Sequence, residues 1–391
     1  MIKGNERFNE PSLIDHISKE RFSVIYQISG TELEAIEIAE KICIEQTVEF
    51  PEDLIPKGAI RDHIFGRIES FQIHKNGSYT AEISYAVEIC GHELTQFLTV
   101  LFGNISLLKG IQLLKINQHN YLKNISTGPR FGIEGLRKLT GVHDRALLCG
   151  AIKPMGLSPS TLAEMAADFT LGRIDLIKDD HGLADQPFSR FRERVKAVSD
   201  TVNEINSKTG SKTLYAPSIS ASASEVIDRA HFAKEAGAGA LLIAPFVTGI
   251  DFARMISEDD SIALPLIAHP ALSGSFVNSD ESGISHYALF GQIMRMSGCD
   301  ASVFPSYGGR FSFSKDECSS IQKGCTEPFA GYSPIFPAPG GGMTLERMSE
   351  LKKFYGNDAM FLIGGGMFQN NGNISENVKR FKAAYLKMEL S

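Results

Sequence analysis

The residues best placed to do chemistry stand at the ends of short apolar runs. ALLCGAIKP closes on Lys153 and Pro154, IDLIKDD closes on Lys178, Asp179 and Asp180 with His181 next, and LPLIAHPA carries His269 and Pro270. A lysine in an apolar setting gives up its charge more easily than one in water, which suits proton transfer or an electrophilic role, although a solvated loop lysine would read the same way. Side chains alternate along a strand, so Lys178 and Asp180 share a face and Asp179 takes the other. An amine, a carboxylate and an adjoining imidazole can build a metal site or an acid/base pair, or simply a salt-bridged strand terminus. His269 is either an acid/base or donor group or a satisfied core histidine. In SYGGRF (Ser306 to Phe311) glycines precede Arg310, the pattern of a mobile loop that delivers a cation to an anion, or of a plain flexible connection.

Two glycine triplets, Gly340-Gly341-Gly342 and Gly364-Gly365-Gly366, follow the last two apolar runs. Backbone NH groups approach a phosphate closely only where no side chain intervenes, so a phosphate site is expected there, against the plainer reading of two tight turns. The chain has no GxxxxGK[ST] and no strand-linked GxGxxG, so a nucleotide is not indicated.

The elements that must position these groups repeat roughly every 30 residues from Ala146 onward, as apolar runs alternating with amphipathic stretches. Eight runs occur: Ala146 to Pro154, Ile174 to Asp180, Lys212 to Ser220, Gly239 to Val247, Leu264 to Ala271, Ala301 to Ser306, Ser333 to Gly341 and Ala359 to Gly366. Helix starts are signalled at Ser158, Ser222 and Thr344, and glycines such as Gly210, Gly237 and Gly298 mark helix ends. Eight strand–helix units predict a (β/α)8 barrel, whose strands, buried on both faces, read as nearly continuous apolar runs. Its functional residues lie at the carboxyl ends of the strands. Before it, FSVIYQISG, IESFQIHKN and SYTAEISYAVE with a helix at TELEAIEIAEKICIEQ and a second near HELTQFLTVLFG predict an α+β, ferredoxin-like domain with an antiparallel sheet. The expected division is residues 1–125 and 126–391.

Composition narrows the function classes. Of 391 residues 43% are hydrophobic and 22% charged, the balance of a globular protein with a sizeable core. A net charge of -7 argues against nucleic-acid or anionic-membrane partners, so an anionic substrate must be met by a local device such as the glycine triplets. No run approaches 18 apolar residues, and MIKGNERFNEPS lacks a signal-peptide h-region. Six scattered cysteines without CxxC predict free thiols in a reducing compartment, the cytoplasm.

The stretch GAIKPMGLSPSTLAEMAADFTLGRIDLIKDDHGLADQPFSRFRERV (Gly150 to Val195) resembles the large-subunit family of ribulose bisphosphate carboxylase/oxygenase, RuBisCO, whose first two barrel strands carry IKPKxGLSP and KDDE. TGPRFGIEGLRK (Thr127 to Lys138) resembles its domain linker, and LFGNISLLKGIQLLKI its GN-containing segment. The resemblance implies that Lys153 is a catalytic lysine, Lys178 the lysine carbamylated by CO2, and Asp180 and His181 with Lys178 the ligands of Mg2+. It further implies a catalytic His269, a mobile-loop Arg310, a phosphate on Gly341, Gly342, Gly365 and Gly366, and a homodimer in which Glu45 and Asn104 complete a neighbour's site. Several positions depart from the family. KDDE has become KDDH, Met155 and a one-residue deletion replace the second lysine of KPKxGLS, Pro270 and Val303 stand for an arginine and a histidine of the second phosphate site, and Arg310 replaces the loop lysine. The resemblance is therefore to RuBisCO-like members that do not fix carbon. It implies a keto-sugar or 3-oxo acid-sugar monophosphate enolised through a metal-stabilised enediolate, by a decarboxylase or an isomerase. Ser273 and Ser275 point to a hydroxylated acid, whereas Met155, Val303 and Phe304 point to a thioether. The alternatives are a methionine-salvage enolase or isomerase acting on a methylthio-pentulose phosphate, and a binding protein that has lost catalysis.

Overall fold

The computed structural model describes residues 11–74, 77–311, 313–369 and 373–386. Thirteen strands are found among them: β1 Arg21–Ile28, β2 Arg67–Ile73, β3 Tyr79–Ala86, β4 Ile111–Ile116, β5 Leu147–Ile152, β6 Leu176–Asp179, β7 Leu214–Ala216, β8 Leu241–Ile243, β9 Leu266–Ala268, β10 Gly283–Ile284, β11 Ala301–Pro305, β12 Phe336–Gly340 and β13 Met360–Ile363. The chain divides into two compact units. One takes the chain up to Ser126 together with Gly274–Gln292 and Phe329–Gly331, and the other takes Thr127–Ser273, Ile293–Pro328 and the chain from Tyr332 onward.

In the first unit the strand order is β10-β4-β1-β3-β2. Pairs among β1 to β4 are antiparallel, and β10 joins β4 in parallel. Strict alternation along β1 buries Phe22, Val24, Tyr26 and Ile28, the period-2 pattern visible in FSVIYQISG. The helix Glu32–Glu45 opens on a capping box between Thr31 and Glu34 and buries Ala35, Ala39, Ile42 and Cys43. The contiguous division expected from the sequence differs here. Residues 274–292, inside the barrel's stretch of chain, supply β10 to this sheet, and a two-residue strand leaves no local pattern to read.

In the second unit all eight apolar runs form strands, in the order β7-β6-β5-β13-β12-β11-β9-β8 with parallel neighbours. A parallel bridge between Ser218 and Leu242 closes the circle, with Ile219 N donating to Leu242 O at 2.9 Å and Leu242 N to Pro217 O at 2.9 Å. The barrel interior is a packed core that includes Leu147, Cys149, Leu176, Leu242, Ile267, Val303, Ala338 and Met360. Ser158 caps the helix Pro159–Leu171 through Thr161 N, as its position signals. Ser222 and Thr344 instead open turns, and the regular helices Val226–Glu235 and Met348–Tyr355 begin one turn later. All six cysteines are free and buried. No helix among the described residues is long and apolar enough to cross a membrane.

Candidate active site

The barrel's interior rows lead directly to the residues singled out in the sequence. A strand repeats every two residues, so the row Leu147, Cys149, Ala151 continues to Lys153, the row Leu176, Lys178 to Asp180, Ile267 to His269, and Met360, Leu362 to Gly364. Lys178 is paired on its flanks with Ala151 and Ala216, whose small side chains leave room for an amine inside the barrel. It is 3% exposed, and its Nζ donates to Asp179 O at 3.0 Å. Burial pulls its pKa below the ordinary lysine value, and the charge of Lys153 acts in the same direction against the pull of Cys149, Asp180 and Asp179.

Asp180 is half-buried, and its carboxyl is held down at about 2, first by the His181 imidazole and further by Lys178 and Lys153. His181 Nδ1 lies 3.6 Å from Asp180 Oδ1. The His181 ring stacks on His269, with centroids 4.4 Å apart and an 11° tilt, so two strands facing the same mouth bring their imidazoles into contact. Ala271 N donates to His269 Nδ1 at 3.1 Å, which assigns the proton of the neutral ring to Nε2. Burial first, then the charges of Lys178 and His181, push His269 down to about 3. Lys153 reaches across to the last strand, where a Cβ built on Gly364 would lie 3.0 Å from its Nζ. The first glycine of the second triplet thus makes room for the lysine.

The outward residue of the cluster does different work. Asp179 is fully buried and accepts from Arg194 Nε at 3.1 Å, Tyr215 OH at 2.7 Å and Ser218 N at 3.0 Å. Arg194 in turn donates to Ala184 O and Ser189 O at 2.8 Å each, pinning the loop that begins at His181.

The glycines divide into two kinds. Gly341, at φ +85°, and Gly365 face open space, with no other atom within 4 Å of where a Cβ would sit. At Gly342 a Cβ would meet Arg347 Nη1 and Gly309 Cα, both at 2.9 Å, and at Gly366 it would meet Met343 O at 2.9 Å and Phe381 Cζ at 3.0 Å. Gly342 and Gly366 hold the two loops close, and Gly341 and Gly365 leave the approach clear.

The ordered cation of these loops is one the sequence did not flag. Arg347 donates to Gly342 O and Tyr307 O, both at 3.1 Å, and its guanidinium lies over the Tyr307 ring. Nothing in its spacing signals this, because one of the two partners, Tyr307, lies forty residues away in the sequence. Arg310 is exposed, over the ring of Phe311 at 4.8 Å, and the structure does not join it to the Lys178 group. Glu45 and Asn104 belong to the first unit. Buried Gln46 ties them together by donating to Thr99 O and Val100 O and accepting from Ile105 N, and the barrel's own cluster is built without them. A polar cavity of about 450 Å3 in the first unit, lined by His119, Lys123 and neighbours, contains none of the expected site residues.

The residues expected to set specificity sort themselves. Ser273 turns its hydroxyl back to Pro270 O at 2.7 Å, and Ser275 lies in the first unit. Val303 is part of the barrel core, and Phe304 packs against Tyr355 in the helix layer. Met155 and Leu272 are apolar and exposed in the loops after the first and fifth barrel strands. Met155 lies with its Cε 2.5 Å from where a Gly182 Cβ would stand, and Leu272, 60% exposed, holds a left-handed φ of +71° just after His269.

Whether a divalent cation fits can be judged from the donors. Among the described residues no three His, Cys, Asp or Glu side chains converge to hold an ion by themselves. Asp180 and His181 supply one carboxylate and one imidazole, and Lys178 would supply a third donor if it carried an added carboxylate. The buried, low-pKa amine suits that addition, because only a neutral amine attacks CO2. With it the set fits a divalent cation.

Fold and mouth together define a (β/α)8-barrel protein of the RuBisCO kind. Residues 132–385 match the model of the ribulose bisphosphate carboxylase large chain, catalytic domain. The chain is 35% identical over 367 residues to the 5-methylthioribulose-1-phosphate isomerase of Rhodospirillum rubrum, covering 93% of this chain and 96% of that one. It is 35% identical over 338 residues to a 2,3-diketo-5-methylthiopentyl-1-phosphate enolase of Bacillus pumilus, covering 84% and 83%. The crystal structure of a Rubisco-like protein from Rhodopseudomonas palustris, 36% identical, matches with a TM-score of 0.83 over 95% of this chain and 99% of that one. The chain belongs to the RuBisCO large-chain family.

Proposed function

We propose that the protein enolises a keto-sugar monophosphate with an apolar group at the end remote from the phosphate, as an isomerase or enolase of the methylthio-pentulose phosphate class, without fixing CO2. The observation that carries this reading is the convergence of Lys153, Lys178, Asp180, His181 and His269 at one barrel mouth beside the open faces of Gly341 and Gly365. The phosphate rests on the glycine side, where the backbone is bare. Lys153 acts as the acid/base. It takes the proton from the carbon beside the carbonyl, the C–H pair becomes the C=C bond, and the carbonyl π pair moves to oxygen. The new oxygen anion takes up the proton of the neighbouring hydroxyl, and as Lys153 returns its proton to the former carbonyl carbon the C=C pair forms that C–H bond and the neighbouring oxygen closes to C=O, which completes an isomerisation. The neutral His269, with its proton on Nε2, donates a hydrogen bond to an oxygen of the substrate.

A divalent cation held by carbamylated Lys178 with Asp180 and His181 would polarise that carbonyl and so favour enolisation. Carbon fixation is disfavoured because Pro270 and Val303 remove the grip on a second phosphate. Two of the relatives named above, the isomerase and the enolase, carry methylthio compounds in their names, and exposed Met155 and Leu272 suit a thioether. A decarboxylase would want polar groups there, and the Ser273 hydroxyl is turned away. By the family resemblance the working unit is a homodimer, with Glu45 and Asn104 contributed to the other copy's mouth. Conversion of 5-methylthioribulose 1-phosphate followed by proton NMR tests the proposal. Turnover of that compound, with none of ribulose bisphosphate and labelled CO2, is expected. The reading fails if no keto-sugar monophosphate reacts.

A further inference from the structure

His181 changes the kind of ion this mouth can hold. Resting on the reading of Lys178, Asp180 and His181 as a cation site, we propose that the site takes a borderline transition-metal ion of the Mn2+ and Co2+ class through a nitrogen of His181, and discriminates against Mg2+. Three features support this. The side chains next to Lys178 at the mouth are one carboxylate, Asp180, and one imidazole, His181, so an ion that engages both takes one nitrogen. The ring is also held in place. One face packs on His269 at 4.4 Å, and Nδ1 stands 3.6 Å from Asp180 Oδ1, so nitrogen and carboxylate are presented side by side. The loop carrying it is fixed from below by Arg194 on Ala184 O and Ser189 O, which limits rearrangement to an all-oxygen shell. Mg2+ demands near-octahedral oxygen donors and gives up its waters reluctantly, whereas imidazole suits the later divalent metals.

The test is pulsed EPR on the full chain loaded with Mn2+ in bicarbonate buffer, beside competition of Co2+ against Mg2+. The wild-type protein is expected to show 14N coupling from a coordinated imidazole, which His181→Glu and His181→Gln both remove. The preference for Co2+ over Mg2+ is expected to fall roughly tenfold or more in His181→Glu. His181 is exposed, so these variants should melt with the parent, and the glutamine variant serves if the glutamate one does not fold. Bound Mn2+ without 14N coupling, coupling that survives in Lys178→Ala, an unchanged metal preference in His181→Glu, or no Mn2+ binding at all would each overturn the proposal. The readout is spectroscopic, so a failure of the proposed reaction, with every sugar phosphate inert, leaves this outcome separately readable.

Discussion

Strand β6 supports two charged regions built on opposite terms. On its helix-facing side Asp179 accepts three hydrogen bonds, and its partner Arg194 gives its other donors to the carbonyls of Ala184 and Ser189 and to the Ser189 hydroxyl, with Asp179 and Arg194 both fully buried. On its interior side Lys178 is equally buried but answers to a single carbonyl, and Asp180 and His181 face each other across 3.6 Å at an open mouth. Charge buried to hold a fold is matched donor by acceptor. Charge gathered at the mouth, where we propose the chemistry, keeps coordination capacity in reserve, and burial lowers the pKa of Lys178 and His269.

Substitutions on the two sides should separate stability from activity. The largest effect belongs to Lys178→Met, which should lower kcat by about 10^3-fold while leaving the melting temperature equal or higher, since it removes a desolvated amine. Calorimetry beside the NMR assay checks this, and a lower Tm with activity kept would break the comparison. Asp179→Ala should do the reverse in its primary effect. It strands the buried Arg194 and should cost about 3 kcal/mol or more in urea unfolding, whereas Asp180→Ala should stay within about 1 kcal/mol of the parent.

The glycines extend the same contrast. Gly366→Ala meets Met343 O and Phe381 and should destabilise by about 1–3 kcal/mol, whereas Gly365→Ala has space and should fold normally while raising KM for the phosphorylated substrate roughly tenfold. The smallest effect at neutral pH, one that grows only on acidification, is in pH dependence. His269 sits at about 3 in the fold against an ordinary 6.5, so between those values the unfolded chain binds a proton that the native one refuses. Stability should therefore fall as pH drops from about 6.5 toward 3, and His269→Asn should flatten that slope in urea titrations at several pH values.

How much of this could be read from residues alone follows from distance along the chain. The eight barrel strands and the row from Cys149 to Lys153 are local, period-2 features, and they were legible. So was the separation of Asp179 from Asp180. The stacking of His181 on His269, the bracing of two loops by Arg347 and the recruitment of β10 into the first unit's sheet depend on segments distant in sequence, and no spacing announces them. The specificity residues were the least legible. Phe304 and Ser273 have suitable chemistry but turn it into the helix layer and back onto Pro270 O, which only the local backbone decides.

The central claim is that the unmatched side of β6 serves proton abstraction beside a carbonyl. Solvent deuterium exchange into 5-methylthioribulose 1-phosphate, followed by NMR with divalent cation and bicarbonate present, tests it most directly. Exchange is expected at a carbon adjoining the carbonyl in the wild-type protein, and none in Lys153→Met or Lys178→Met. Exchange that persists in both lysine variants, or its absence from the wild-type protein with every keto-sugar monophosphate tried, would contradict it.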